Sequence, residues 1–433
     1  MPPRKRPRTC TPAPSSTPPL LALPADLLLQ IAARSDVAAI VRCAATCKLL
    51  RREILSPAFI HSLCRRAPPP DGGVVPPRLV GFLGGRRRAF SVAHPRTSPS
   101  AKSFARSHLA PFVRRSAGDL LKQYKVVTAR GGLAVLERRE INRRRRSERR
   151  SDLCVYDPMT GERAFFPFPP NIHRGGMIRD FVYTYVVVTA ADGIDRPFTL
   201  LAAGITSPLY FGPTVRVQAV SPDASGGGGQ WGPLEFVSHR GSGMCLADTS
   251  NSAVVLRGVV HWLMRCPGDD VFTYDVVTGE TGRVSLPFGL GRPEGRNALE
   301  AKLGATPDGR LTVTVANELT VSVWVQRTAG SGSRWPWWPD WEQHAKVDTE
   351  AGIRSVLGRG IEIRGTIKLV NFGDQRSGAV FFRIGVVNGR PGGYDVILVL
   401  DVETKEIRGV RRYRGTTLYE VDLASRLSAM KIL

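Results

Sequence analysis

Four of the seven tryptophans in this chain fall within seven residues, Trp335, Trp337, Trp338 and Trp341 of the run WPWWPDW. Such rings suit binding rather than bond-breaking, because large aromatic side chains on a loop make interaction hot spots. The intervening prolines forbid a regular helix or a central strand, so the cluster is expected on a loop, where it either recognises a target or covers a sheet edge. A second concentration, Arg143, Arg144, Arg145 and Arg146 in ERREINRRRRSERR, could grip phosphates or an acidic protein, or stand as a solvated loop or localisation signal. No aromatic residues interleave with these arginines to stack on bases, which disfavours nucleic acid as the partner.

The cysteines, at 10, 43, 47, 64, 154, 245 and 266, are odd in number and include no C-x-x-C pair, so they are read as reduced thiols. Cys43 and Cys47 lie one helical turn apart, but with no second pair nearby they are read as core or interface residues, and no metal is expected. The histidines are isolated, and His261, beside Trp262 in an apolar strand, is expected to pack or bond locally. The chain contains no G-x-S-x-G, no G-x-x-x-x-G-K-[ST] and no H-E-x-x-H. The expectation is a protein without cofactor or catalytic chemistry of its own.

The elements that would present these residues begin with LPADLLLQIAARSDVAAIVRCAATCKLLRREILSPAFIHSLCRR, Leu23 to Arg66. Pro24 and Asp26 suit the first turn of a helix, and Leu27, Leu28 and Ile31 recur on one face of it. Ser35 or Asp36 can cap a second helix bearing Val37, Ile40, Val41, Ala44 and Cys47 at helical spacing. A turn-rich segment carries Leu50 and Ile54, and Ser56-Pro57 is a cap followed by a first-position proline. This segment resembles the F-box, through which substrate receptors dock on the Skp-type adaptor of cullin-RING ubiquitin ligases. The matching residues are Leu23-Pro24, Asp26 to Ile31, Arg34, Asp36 and Arg42 to Lys48. The resemblance implies that Leu23, Pro24, Leu27, Leu28, Ile31, Ile40, Cys43, Cys47 and Leu50 bury against the adaptor, with Lys48 at the rim. Ser35 and Leu50 stand where the family has leucine and tryptophan, each removing apolar area.

Charge divides the chain. Residues 1–150 hold 31 Lys+Arg against 8 Asp+Glu, and residues 151–433 hold 30 against 29, so nearly all of the net +24 is N-terminal. That asymmetry indicates basic arms rather than a generally basic fold. Residues 1–20 read as a disordered basic, Pro-rich tail whose Arg4, Lys5, Arg6 and Arg8 resemble a nuclear-localisation signal. Residues 21–66 form the helical module, 67–77 a Pro/Gly linker, and 78–433 a β-domain with a basic insertion at 137–151. No apolar run is long enough to span a bilayer, so nucleus, cytoplasm or both is the expected location.

From Arg78 onward short β-rich runs alternate with glycine-containing turns, and no long amphipathic helix is expected. Three segments repeat: LCVYDPMTGE from Leu153, VFTYDVVTGE from Val271 and ILVLDVETKE from Ile397. Each reads as a hairpin whose Asp caps the turn and whose Gly takes the left-handed position; Lys405 replaces that Gly at a cost on the order of 1 kcal/mol. Their spacing leaves room for two or three propeller blades per interval. With GVVHWL at 258–263, these repeats resemble the kelch-like F-box-associated domains of plant F-box proteins. The expected class is therefore α+β multidomain, a small helical F-box followed by an all-β propeller of six to eight blades, with a pair of β-sandwiches as the alternative. The function implied is a non-catalytic substrate receptor, bridging adaptor and cullin to a target protein. The alternatives are an adaptor-independent scaffold and a basic nucleic-acid-associated protein.

Overall fold

A computed structural model describes residues 24–34, 40, 43–44, 48–54, 56, 59, 79–83, 110–139, 152–158, 160–170, 172, 182–206, 214–223, 229–238, 245–246, 253–265, 270–287, 300–306, 308–327, 341–358, 360–370, 379–387, 394–410 and 417–420. Helices α1 (Ala25–Arg34) and α2 (Lys48–Ile54) pack together near the start. The rest is mostly β. Five antiparallel sheets follow one another along the chain in a propeller-like arrangement.

The first blade is β2 (Tyr124–Arg130), β3 (Leu133–Arg138), β4 (Leu153–Tyr156) and β5 (Arg163–Phe166), and the second β6 (Val182–Thr189), β7 (Phe198–Thr206), β8 (Thr214–Val220) and β9 (Glu235–Ser238). In the third, β10 (Cys245–Leu246) and β11 (Ala253–Leu256) both pair with β12 (Val259–Arg265), followed by β13 (Asp270–Asp275) and β14 (Thr281–Ser285). The fourth is β15 (Glu300–Ala305), β16 (Leu311–Asn317), β17 (Thr320–Gln326) and β18 (Trp341–Asp348). The fifth is β19 (Glu362–Leu369), β20 (Ala379–Val387), β21 (Tyr394–Asp401) and β22 (Ile407–Val410). Finally β1 (Leu79–Leu83) pairs antiparallel with β23 (Thr417–Glu420), joining the two ends of the β-domain.

Successive side chains of a strand point to opposite faces, and here the inner strands carry apolar side chains onto the blade next in sequence. Val186, Val188 and Leu201 of the second blade pack on Val255, Val260 and Trp262 of the third. Val254 and Leu263 of the third meet Leu303, Leu311 and Val313 of the fourth. A strand buried on both faces reads as a continuous apolar run without alternation, as Leu133–Leu136 does.

The repeated motif forms the hairpins β4–β5, β13–β14 and β21–β22. In each, the Asp N–H donates to the carbonyl of the Glu five residues on, at 2.8 to 3.0 Å, between Asp157 and Glu162, Asp275 and Glu280, and Asp401 and Glu406. The Asp carboxylate closes the turn by accepting from Thr160 Oγ1 at 2.6 Å, from the Thr278 N–H at 2.9 Å and from the Thr404 N–H at 2.7 Å. Gly161, Gly279 and Lys405 take left-handed φ of 84°, 73° and 59°.

Several expectations are corrected. The blades number five, not six to eight, and the two-sandwich alternative does not describe these sheets. The run Val254–Leu263, which reads in sequence as one β-rich segment, is two strands, turned at Arg257 and Gly258 with φ of 50° and 81°. A long helix does occur after Arg78: α3 (Ala110–Gln123) buries Val113, Ala117, Leu120 and Leu121. Its stripe is hard to see in sequence because one member is a bare alanine. A further short helix, α4 (Glu350–Leu357), buries Ile353.

At the junction of the first three blades Arg130, ending β2, forks onto Asp192 in the 3-10 turn Ala190–Asp192. The two guanidinium nitrogens lie 2.6 and 2.7 Å from the carboxylate oxygens. The same nitrogens donate to the carbonyls of Val187 on β6 at 3.1 Å and Val255 on β11 at 3.2 Å. Asp192 also accepts from the N–H and hydroxyl of Thr189 at 2.9 and 3.2 Å. The two side chains are only 10% and 3% exposed.

Removing one partner of such a pair strands a buried charge, so Asp192→Ala is expected to destabilise the β-domain by about 3–5 kcal/mol, whereas the paired change Arg130→Met with Asp192→Leu costs far less. Urea midpoints of the two variants measure the difference. Lys405→Gly relieves a left-handed side chain, and its unfolding free energy is expected to rise by about 1 kcal/mol.

Candidate docking surface

The helical module has a small interior of its own. Ile40, Ala44 and Ile54 are buried, with Leu29, Cys43, Leu50 and Phe59 packed around them. Arg51 ties the pieces by donating from Nε to the Ala44 carbonyl at 2.8 Å. The start of α1 is set by the Pro24 carbonyl, which accepts from Leu27 and Leu28 N–H at 3.0 and 3.1 Å. Ser56 acts as the anticipated cap, its hydroxyl accepting from the Phe59 N–H at 3.3 Å.

Around that interior, apolar side chains remain on the surface. Leu27 is 43% exposed and Ile31, one turn later, 53%, so the α1 stripe faces outward at these two positions while Leu28 is half-buried. Leu49 is 56% exposed, although only its neighbour Leu50 was singled out from sequence. Reading 48–54 as turns hid the face, because on the helix observed here Leu50 turns inward and Leu49 outward. Ile40, at 2%, belongs to the interior and supports the surface rather than forming it. Pro24 and Lys48 are exposed, Cys43 is half-buried, and Leu23 and Cys47 lie outside the described residues.

The other sequence candidates are not brought to this surface. Trp341 is not on a loop: it opens β18, is buried between the third and fourth blades, and donates from Nε1 to the Ser285 carbonyl at 2.8 Å. Trp335, Trp337 and Trp338 lie outside the described residues, as do Arg143 to Arg146. The ends of the hairpin from which the arginine segment springs are described: β3 pairs with β4, and the Arg138 N–H donates to the Asp152 carbonyl at 2.9 Å. Arg139 beyond it bonds back to the carbonyls of Gln123 and Tyr124.

Titratable groups within the blades are structural. Burial pushes the Cys154 thiol up to about 12, against the opposing pull of Arg163, so it is protonated at neutral pH and a poor nucleophile. Tyr156 is likewise raised to about 12 by burial, offset by its hydrogen bond with Ser116, which pins α3 to the first blade. Burial and then the neighbouring Glu235 raise Tyr274, whose hydroxyl donates to that carboxylate and links the third blade to the second. His261 bonds through Nδ1 to the carbonyls of Val254 and Val259 at 3.3 and 3.0 Å, the local role expected of it. Among the described residues no group of three His, Cys, Asp or Glu is placed to hold a metal ion.

Among curated proteins there is no match to this chain. Of solved structures, a mannose phosphorylase from Leishmania mexicana in complex with phosphate is similar at 8% identity and a TM-score of 0.26, over 56% of this chain and 69% of that one. Two structures of puromycin hydrolase are similar at 15% and 14% identity, each with a TM-score of 0.28 over 67% of this chain and 54% of the hydrolase. By sequence, residues 92–433 match a domain of unknown function, DUF7595, and the chain belongs to that family.

Proposed function

We propose that the chain is a substrate receptor of an SCF-type cullin-RING ubiquitin ligase. The module at 21–66 docks on the Skp-type adaptor, and through it the cullin, while the β-domain holds a target protein. The observation that carries this reading is the exposure of Leu27 and Ile31 on a helix whose neighbours already have an interior in Ile40, Ala44 and Ile54. A unit this small buries too little of its own surface to stand alone, and covering its remaining apolar side chains with another polypeptide supplies what is missing. Fully burying a Leu or Ile is worth about 1.5–3 kcal/mol, so two or three such side chains make a useful anchor.

Such a receptor needs no reacting groups of its own. Its contribution is positioning, which raises the effective concentration of a target lysine at the ubiquitin-loaded partner while the transfer occurs elsewhere. The substitutions Ser35 and Leu50 lower the apolar area relative to the family pattern, and Leu49 returns part of it.

Two outcomes test the reading. Leu27→Glu with Ile31→Glu is expected to cut adaptor binding by about a hundredfold or more while the thermal transition of the β-domain is unchanged. Undiminished co-precipitation of adaptor by the double variant refutes the docking role. Ile54→Ala opens the module's interior and is expected to destabilise it by about 2–4 kcal/mol, seen as faster amide exchange across α1 and α2.

A further inference from the structure

We propose that the cleft between the fourth and fifth blades binds a small neutral aliphatic group bearing a hydroxyl, with Thr312 and Thr314 meeting that hydroxyl. The cleft has a volume of about 90 Å³, the space of about three waters. Protein interiors are close-packed and hold few voids larger than one water, so a gap of this size between two blades is not the ordinary product of packing. This inference stands apart from the docking surface on α1 and does not rest on the ligase reading.

The other junctions show what ordinary sealing looks like in this chain. Inner strands turn apolar side chains to the next blade: Leu133 and Val135 in the first, Val186, Val188 and Leu201 in the second, and Val254, Leu256 and Leu263 in the third. In the fourth, Ala301, Leu303 and Ala305 of β15 and Leu311 and Val313 of β16 face back to the third blade. The pleat therefore turns Lys302, Gly304, Thr312 and Thr314 to the fifth. Across the ladder Gly304 sits opposite Thr312, and Lys302 opposite Thr314. Two hydroxyls and a residue without a side chain thus stand where the other junctions place valine and leucine.

Elsewhere the same pair of blades is sealed by Val321, Val347, Phe382 and Leu400, so the gap is local. Its walls select a neutral guest. Lys302 is buried with a partner of its own, and Glu300 lies two residues before it on the same face of β15. The ammonium therefore offers no uncompensated charge, and an ion entering the cleft would lose its water without return. Thr312 and Thr314 are buried too. Each hydroxyl carries one donor and two lone pairs on a rotating bond, which complements another hydroxyl. Leu369, Val370 and Val402 of the fifth blade form an apolar wall on which a short carbon chain can lie. At the rim His344 Nε2 lies 3.0 Å from a Glu403 carboxylate oxygen, tying the two blades together at the mouth.

Methyl NMR of the full chain titrated with 2-propanol tests the proposal, read at Val325, Leu369 and Val402, which line the cleft. Propionate and propylammonium, similar in size and opposite in charge, serve as controls, and N-acetylthreonine N-methylamide presents the same hydroxyalkyl group as a polypeptide would. Saturable shifts at these methyls are expected with 2-propanol, with affinity at least about tenfold weaker for either ion. In Gly304→Val, whose added methyls fill the space, affinity for 2-propanol is expected to fall at least about tenfold. Thr312→Val with Thr314→Val, which keeps the shape and removes the hydroxyls, is expected to weaken it about fivefold. Binding of the threonine amide as tightly as 2-propanol identifies a side chain as the natural source, and binding of 2-propanol alone identifies a free alcohol. Absence of saturable shifts, equal binding of either ion, or unchanged affinity in either folded variant overturns the proposal. Should Gly304→Val fail to fold, the threonine double variant decides alone.

Discussion

The β-domain depends on an ion pair that no single blade could hold by itself. Arg130 comes from the first blade, Asp192 from the turn after the first strand of the second, and the guanidinium also reaches the Val255 carbonyl on the third. Apolar contact between blades is non-directional and tolerates sliding, since valines on one sheet meet valines on the next at several registers. A bidentate fork tolerates none, because both nitrogens must meet both oxygens. Buried ion pairs are weak evidence for net stability, but they specify arrangement at the moment desolvation makes any other arrangement costly. The surroundings are shaped around this junction: a Cβ at Gly258 would lie 2.8 Å from the Asp192 carbonyl oxygen, so the β11–β12 turn can approach only with glycine there.

What could be read from sequence was the chemistry that closes locally. The Asp-to-Glu turn needs an acceptor, a threonine and a left-handed residue within six positions, and all three copies fold as hairpins, even the one with Lys405. The number of blades was not readable in the same way. The copies end the first, third and fifth blades, so each interval holds two blades; the second and fourth close through longer connections, residues 221–234 and 327–340, without the motif. Nothing in those stretches marks a blade by local rules. The α3 stripe escaped for a related reason: its burial against the first blade, with Ser116 bonded to Tyr156, is a tertiary fact that the spacing of Val113, Ala117 and Leu120 only hints at.

For the helical module, periodicity identified an apolar face but could not divide it between inside and outside. Leu27 and Ile31 against Ile40 is the instructive contrast, since all three fit a helical stripe and only the first two reach the surface. Which leucine of the pair at 49 and 50 turns outward depends on the helical phase of α2, and a one-residue change in phase exchanges them. The tryptophan cluster shows the opposite limit. WPWWPDW reads as loop throughout, yet its last ring is claimed by a strand because Trp341 finds a buried acceptor in Ser285 and an apolar bed between two blades.

The closing ladder bears on how module and β-domain work together. The family match starts at residue 92, yet β1, at Leu79–Leu83, lies before it and pairs with β23 near the other end of the matched region. The seam is fastened again where the Tyr419 hydroxyl donates to the Gly132 carbonyl and the Gly132 N–H to that of Glu420. The chain leaving the module after Phe59 therefore meets the β-domain at Leu79 rather than at Ala110, where the helix pinned to the first blade begins. On the proposed reading this matters energetically. Effective concentration falls roughly as the −3/2 power of tether length once the tether exceeds the span, so residues 60–78 rather than 60–109 set how closely a target held by the blades is kept to an adaptor held by α1. A β-domain that recruits its first edge strand from the tether is thus a means of shortening it. The same strand that removes a free sheet edge from the seam also confines whatever the blades carry.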